Sequence, residues 1–430
     1  MGHDPSLLRS SRMEAMVVTL AKVGRWLRDA WLLIGITALL FGLLEGGLSL
    51  ALLIKDRIGQ TQPRRPDWRV DADAYPDRSW VTKYYEEFRT SDGVRWRPYV
   101  YWRRGPYRGA YINVDSSGLR RMSGAAPPAR DSSRAIRIFM FGGSALWGTG
   151  ARDEFTIPSI LLRELESKGL SAEVTNFGES GYVSTQEVVA LLLRLRNGNI
   201  PDLVIFYDGV NDTYSAYQQH VAGLPQNEFN RVTEFSLSSD FGRLSAMTLR
   251  DATGRLTTVR VASSLLHTLG VPARPRPVRP ALDEVASDDP SGASGLASTY
   301  FGNLELLKAL GEHYHFKYRL YWQPTIFQKA NLTAYERRER AKARAFEEFF
   351  REAYATVRQR QPAAETDPPF RDLSLVFADV PQPVFLDWVH IGESGNATIA
   401  RIMATDVVAL MRARPTTRGV APAQRAAPAQ

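Results

Sequence analysis

The chain has 430 residues, 44% hydrophobic and 23% charged, with 54 Lys/Arg against 46 Asp/Glu for a net charge of +8. That apolar fraction supports a packed core and excludes wholesale disorder, and the absence of cysteine removes disulfides, zinc–thiolate sites, iron–sulfur clusters and any thiol nucleophile. A charge of +8 raises nucleic-acid binding as a question, but residues 1–69 hold ten Lys/Arg and six Asp/Glu, residues 412–430 hold four Arg and no acid, and the body between them holds forty of each. The excess therefore sits at the two ends, and no nucleic-acid partner is expected.

Residues 31–54 read WLLIGITALLFGLLEGGLSLALLI, with one ionisable group, Glu45. At ~1.5 Å per residue such a helix is about 36 Å long, enough for a ~30 Å hydrocarbon core. It is too long for the apolar core of a cleavable signal peptide. Residues 1–30 then read as a short cytoplasmic segment carrying Arg12, Lys22, Arg25 and Arg28, and 31–54 as a transmembrane helix. The expected layout is single-pass in the inner (cytoplasmic) membrane, with the large C-terminal part outside. Glu45 is expected near the outer interface, reaching water.

Residues 55–133 form a membrane-proximal, aromatic-rich region, with Trp80, Tyr84, Tyr85, Phe88, Trp96, Tyr99, Tyr101, Trp102, Tyr107 and Tyr111. These rings suit either packing against a neighbouring domain or a sugar-stacking platform, and packing is the commoner use.

Residues 134–412 change texture. IRIFMFG reads as a buried strand and AEVTNFG and PDLVIFYDG as a second and third strand, separated by the amphipathic helix TIPSILLRELESKG and a second helix TQEVVALLLRLRNG. That alternation predicts an α/β fold with a parallel sheet covered on both faces. The stretch 215–297 breaks the rhythm and reads as a flexible insertion. A helix near 299–310, a strand in FKYRLYWQP, a long helix over 333–358, a fifth strand in DLSLVFADV and a last helix from ESGNATIARIM follow. Residues 413–430 read as a disordered tail.

Four short blocks carry chemistry: FGGSALWG with Ser144, NFGESGY with Gly178 and Gly181, YDGVND with Asn211 and Asp212, and FLDWVH with Asp387 and His390. The first three follow predicted strands, at the sheet edge where open α/β folds bind ligands. A serine hydroxyl needs a base to act as nucleophile, histidine serves near neutral pH, and a carboxylate three residues before it can fix its tautomer. The plain structural readings are a helix cap at Ser144, a turn at Asn211 and a structural role for Asp212. The histidines are scattered, and no metal or other cofactor is expected.

In kind and order these blocks resemble the SGNH (GDSL-like) hydrolase family, over roughly residues 135–215 and 372–412. The first block has Gly-Gly-Ser where the family commonly has Gly-Asp-Ser. The resemblance implies a three-layer, flavodoxin-like domain with about five parallel strands. It also implies Ser144, Asp387 and His390 as catalytic residues, and an oxyanion hole from the Ser144 and Gly181 backbone N–H groups and the Asn211 amide. It further implies an esterase acting on O-acyl esters, with an acylated, O-acetylated envelope or secreted glycan as the expected substrate. An O-acyltransferase using the same site, a lipid esterase and a non-catalytic polysaccharide-assembly factor are the alternatives.

Overall fold

The computed structural model describes residues 5–60, 66–122, 135–228, 230–231, 235, 241–268, 292–361 and 369–412. It divides into one unit of Met1–Arg65 with Thr233–Arg279 and a second of Pro66–Val232 with Pro280–Gln430. The expected tail at 413–430 lies outside the described residues, as do residues 269–291 of the expected insertion.

In the first unit a single helix runs Pro5–Gln60. Its stretch Lys22–Lys55 is long and apolar enough to cross a membrane, and the most apolar window within it is wholly unburied. The insertion is not all irregular, since Phe241–Gly254 and Thr257–Thr268 are helices. Glu45 does not simply face water. Its carboxylate accepts from the backbone N–H groups of Thr257 and Thr258, the latter at 2.9 Å, and from the Thr258 hydroxyl at 2.9 Å. The first N–H groups of a helix have no partner within it, so an acid placed there satisfies them. Ser49 adds a hydroxyl contact to Thr257 at 2.7 Å.

The second unit opens with two small antiparallel pairs, β1 (Val94–Arg97) with β2 (Tyr101–Arg104) and β3 (Tyr107–Arg108) with β4 (Asn113–Val114). The main sheet has five strands: β5 (Ile136–Gly142), β6 (Ala172–Asn176), β7 (Leu203–Asp208), β8 (Lys317–Trp322) and β9 (Phe370–Asp372). All neighbours are parallel, in the order β6-β5-β7-β8-β9. This is the doubly wound arrangement, whose strand order reverses beside β5. Helices Ile157–Ser167 and Glu393–Arg412 pack on each other, and Ser184–Arg196, Val210–Gln219, Gly292–Tyr314 and Arg344–Arg360 form a second packed group. The sheet lies between these layers, so its strands need apolar residues on both sides: every residue of β7, LVIFYD, is buried.

Two elements depart from expectation. The fifth strand is Phe370–Asp372, and DLSLVFADV contributes only its first residue. Ser374 N–H donates to Asp372 Oδ1 at 2.8 Å, and turn bonds from Val376 to Leu373 and from Ala378 to Leu375 take up the backbone that a longer strand would need. The helix expected over 333–358 breaks at Ala343 into Ala334–Lys342 and Arg344–Arg360.

Trp80, Tyr84, Tyr85 and Tyr75 are buried in a second core that also holds Trp147, Tyr335 and Leu386. Below it lies a buried ion pair, Lys329 Nζ to the two Glu336 oxygens at 2.8 and 2.6 Å. Glu336 Oε1 also accepts from Val384 and Phe385 N–H at 2.9 and 3.1 Å, while Lys329 donates to Gln382 O at 2.7 Å. The pair thus fixes the backbone entering the loop that carries Asp387 and His390. Removing one partner of a buried pair leaves an uncompensated charge. Lys329→Met is expected to lower the unfolding free energy by about 3–5 kcal/mol, read by urea denaturation of the full chain in detergent.

Candidate active site

Ser144 is the first residue after the Gly142-Gly143 end of β5 and opens the one-turn helix Ser144–Trp147. Its Oγ lies 2.8 Å from His390 Nε2, and His390 Nδ1 lies 2.7 Å from Asp387 Oδ2. The structure thus brings together three residues that span 246 positions of sequence. Asp387 and His390 share a tight loop closed by the bridge Phe385–Ile391 and by Leu386 N–H donating to His390 O at 2.8 Å.

The Asp387 carboxylate is buried. Burial alone would raise its pKa, but the His390 ring and N–H and the Arg69 guanidinium hold it well below the usual carboxylate range. Asp387 Oδ1 accepts from Val389 and His390 N–H at 3.0 and 2.8 Å, and Arg69 Nη1 lies 3.5 Å from Oδ2. An ionised carboxylate can only accept, so Nδ1 carries the imidazole hydrogen. Nε2 is then free to accept from the Ser144 hydroxyl.

Arg69 has no signal in the sequence. It stands 318 positions from Asp387, in a 3-10 turn (Trp68–Asp71) of the aromatic-rich region. Asp67 grips its guanidinium through both carboxylate oxygens at 2.9 Å, and the Trp68, Tyr85 and Phe88 rings lie within 5.3 Å of Cζ. The expected packing region therefore also supplies a charge to the site.

The three expected oxyanion donors lie at the ends of β5, β6 and β7. Asn211 Nδ2 donates to Tyr182 O at 2.7 Å, next to Gly181. It also sits directly over Gly143, where any side chain would overlap it. Asn211 therefore lies close to both Ser144 and Gly181. An amide nitrogen carries two hydrogens, so one remains beyond the bond to Tyr182. Gly209, which starts the turn into Asn211, has φ +114°, and a Cβ there would fall 2.7 Å from the Trp322 ring. Both facts demand glycine. The β6 loop is tied to β5 by Glu179 N–H donating to Gly142 O at 2.9 Å.

Asp212 is turned away from this cluster and accepts from Ser184 N–H and Oγ at 2.9 and 2.6 Å. Gly178 N–H donates to Asn176 Oδ1 at 2.9 Å, a structural role. His313 and His315 flank the end of Gly292–Tyr314, at the edge of the sheet where β8 begins, opposite to Ser144. Among the described residues, no group of three or more His, Asp or Glu is placed to hold a metal ion.

No protein-family model matches the chain, and no curated protein does. Solved structures similar to it include an acetylxylan esterase from Geobacillus stearothermophilus (15% identity, 63% of this chain and 94% of that one, TM-score 0.31). A member of the lipolytic G-D-S-L family from Veillonella parvula is similar at 14% identity, over 65% of this chain and 100% of that one, with TM-score 0.34. A family 3 carbohydrate esterase from Clostridium thermocellum is similar at 16% identity, over 65% and 98%, with TM-score 0.32. At such scores the likeness adds nothing to the site, which stands on its own distances.

Proposed function

We propose that this protein is a membrane-anchored, extracytoplasmic serine esterase of the SGNH type that removes O-acyl groups, chiefly O-acetyl, from an envelope or secreted polysaccharide. The observation that carries the reading is the unbroken hydrogen-bonded series Ser144–His390–Asp387, at 2.8 and 2.7 Å. The acetyl-glycan choice follows the family resemblance of the four sequence blocks, and the anchor follows the unburied apolar stretch Lys22–Lys55.

In this mechanism Ser144 Oγ attacks the ester carbonyl carbon as its proton passes to His390 Nε2. Asp387 holds the ring and stabilises the imidazolium. The carbonyl oxygen becomes an oxyanion facing the Ser144 and Gly181 N–H groups and the free amide hydrogen of Asn211. Collapse breaks the bond to the glycan oxygen, which leaves with the proton from His390. Water then adds to the acyl-enzyme, giving its proton to His390. Release of acetate returns that proton to Ser144.

Three outcomes test this. The wild-type chain in detergent is expected to be labelled by a fluorophosphonate probe and Ser144→Ala not; equal labelling would remove Ser144 as nucleophile. Asn211→Ala is expected to lower kcat on p-nitrophenyl acetate by about 10²–10³-fold while keeping the label, as loss of one oxyanion donor does elsewhere. Free acetate released in step with deacetylation of acetylated xylan marks hydrolysis, whereas acetate appearing on an added glycan acceptor marks transfer.

Arg69 gives a pH test. The depressed Asp387 keeps its charge, and the stability drawn from that charge, above the ordinary carboxylate range, and loses both as pH falls through its lower folded value. Removing the Arg69 cation raises the proton affinity of the coupled site. Arg69→Gln is therefore expected to move the acid limb of the kcat/KM profile to higher pH, with Arg69→Lys in between. An unmoved limb would make Arg69 a packing residue only.

A further inference from the structure

The aromatic-rich region contains two kinds of ring. Tyr75, Trp80, Tyr84 and Tyr85 are buried. The β1–β2 hairpin carries the other kind: Trp96 is 67% and Tyr99 68% exposed, with Tyr101 and Trp102 half-buried.

This hairpin is strained in an informative way. Tyr99 and Tyr101 both take left-handed backbone, φ 69° and 72°. For a bulky residue that costs roughly 1–3 kcal/mol, and it persists only where the surroundings enforce it. Trp96 stands opposite Trp102 across the hairpin, so these two share a face. Ordinary strand alternation would put Tyr101 on the other face. Instead the Arg231 guanidinium lies over both rings, 4.2 Å from Tyr101 and 5.1 Å from Trp102, and Trp96 meets Tyr101 at 5.4 Å. Trp96, Tyr101 and Trp102 thus form a run of rings, with Tyr101 stacked on Trp102 at 6.4 Å. Tyr101 OH also contacts Glu228 at 3.0 Å, and Glu228 pairs with Arg231 at 2.9 Å.

The row ends at the proposed oxyanion hole. Trp102 Nε1 donates to Ser180 O at 2.8 Å, next to Gly181, and its ring packs on Tyr182 at 5.6 Å. Arg231 donates to Gln226 O at 2.8 Å, and Gln226 Nε2 reaches Asn211 Oδ1 at 3.4 Å.

We propose that this hairpin face is a glycan-binding platform. Trp96 and Tyr99 stack on the apolar C–H faces of pyranose rings, and the Tyr101–Glu228–Arg231 group meets their hydroxyls. The polymer then runs past Trp102 so that an acylated unit reaches Ser144. This rests on the esterase reading for the direction of the chain, and it names a neutral or acetylated polysaccharide as the ligand. Exposed aromatic faces with a charged, hydrogen-bonding rim suit a sugar, which is apolar on its faces and polar at its edges. The arginines on either side of Trp96, Arg95 and Arg97, are exposed as well and can donate to hydroxyls of a bound chain.

The test separates binding from catalysis. Full-length Ser144→Ala in detergent is run in native gels containing acetylated xylan or acetylated glucomannan. Retardation by at least one polymer is expected. Adding Trp96→Ala and Tyr99→Ala is expected to abolish it, and adding Trp96→Phe and Tyr99→Phe to preserve most of it. In the catalytic background, the ratio of kcat/KM on the retarding polymer to kcat/KM on p-nitrophenyl acetate is expected to fall at least fivefold in the double alanine variant, mainly through KM. No retardation by either polymer, equal retardation of the alanine variant, or an unchanged ratio would overturn the platform. So would quenching of Trp96 fluorescence by brominated lipid in nanodiscs, which assigns the face to the bilayer. Ring-dependent retardation by a protein with no Ser144-dependent turnover leaves the platform standing and removes the esterase reading instead.

Discussion

The buried Asp387 carboxylate is the point on which the site depends. A carboxylate removed from water is costly unless its charge is answered at close range. Here four groups answer it: two N–H groups of its own loop, the His390 ring and the Arg69 guanidinium. Three of the four lie within three residues of Asp387, so the loop is preformed. The fourth comes from the opposite end of the unit, so the segment around Trp68–Asp71 has to be seated before the charge is fully balanced. The loop is fixed a second time from below by Glu336, itself neutralised by Lys329.

The carboxyls behind Asn211 live under opposite conditions. Glu187, Asp208 and Asp212 are all buried and crowd one another. Burial first, then their mutual repulsion, pushes Glu187 and Asp208 well above the carboxylate range, while burial raises Asp212. Tyr300 OH donates to Asp208 Oδ1 at 2.6 Å, and Asp212 Oδ1 accepts from Ser184 N–H at the start of Ser184–Arg196. The acids of this unit thus include one whose proton affinity is lowered beside histidine and arginine and a crowded group whose proton affinity is raised.

This division explains what could be read in the sequence. The strands β5 and β7 were legible because each is a short, largely buried apolar run, whereas β6 (AEVTN) and β8 (KYRLYW) are more polar and stand out chiefly by their place between helices. Ser144, Asn211 and the Asp387–His390 spacing were legible because each lies in a short block with a pattern of its own, although Ser144 meets His390 only through the fold. Arg69, Lys329 and Glu336 were not, since each gains its meaning from a partner brought in by the fold. The short strand Phe370–Asp372 was missed because three residues carry too little pattern, and the apolar DLSLVFADV beside it mimics a strand while turning. The aromatic region was ambiguous for a similar reason. Nothing in YVYW announces left-handed tyrosines, which glycine or asparagine would ordinarily signal.

Burial along the proposed relay runs in one direction. Asp387 is buried, while His390, Ser144, Gly181 and Asn211 are partly accessible. A nucleophile and oxyanion donors that open to solvent suit a group presented from outside, on a polymer too large to be enclosed. Such a site gains little affinity from surrounding its substrate, so the binding energy that positions the ester has to come from adjoining surface. Trp102 of the β1–β2 hairpin borders Gly181 on that surface. The hairpin's backbone strain fits the proposed platform: folding holds Tyr99 and Tyr101 in a costly conformation, and Trp96, Tyr101 and Trp102 are already in contact before any ligand binds.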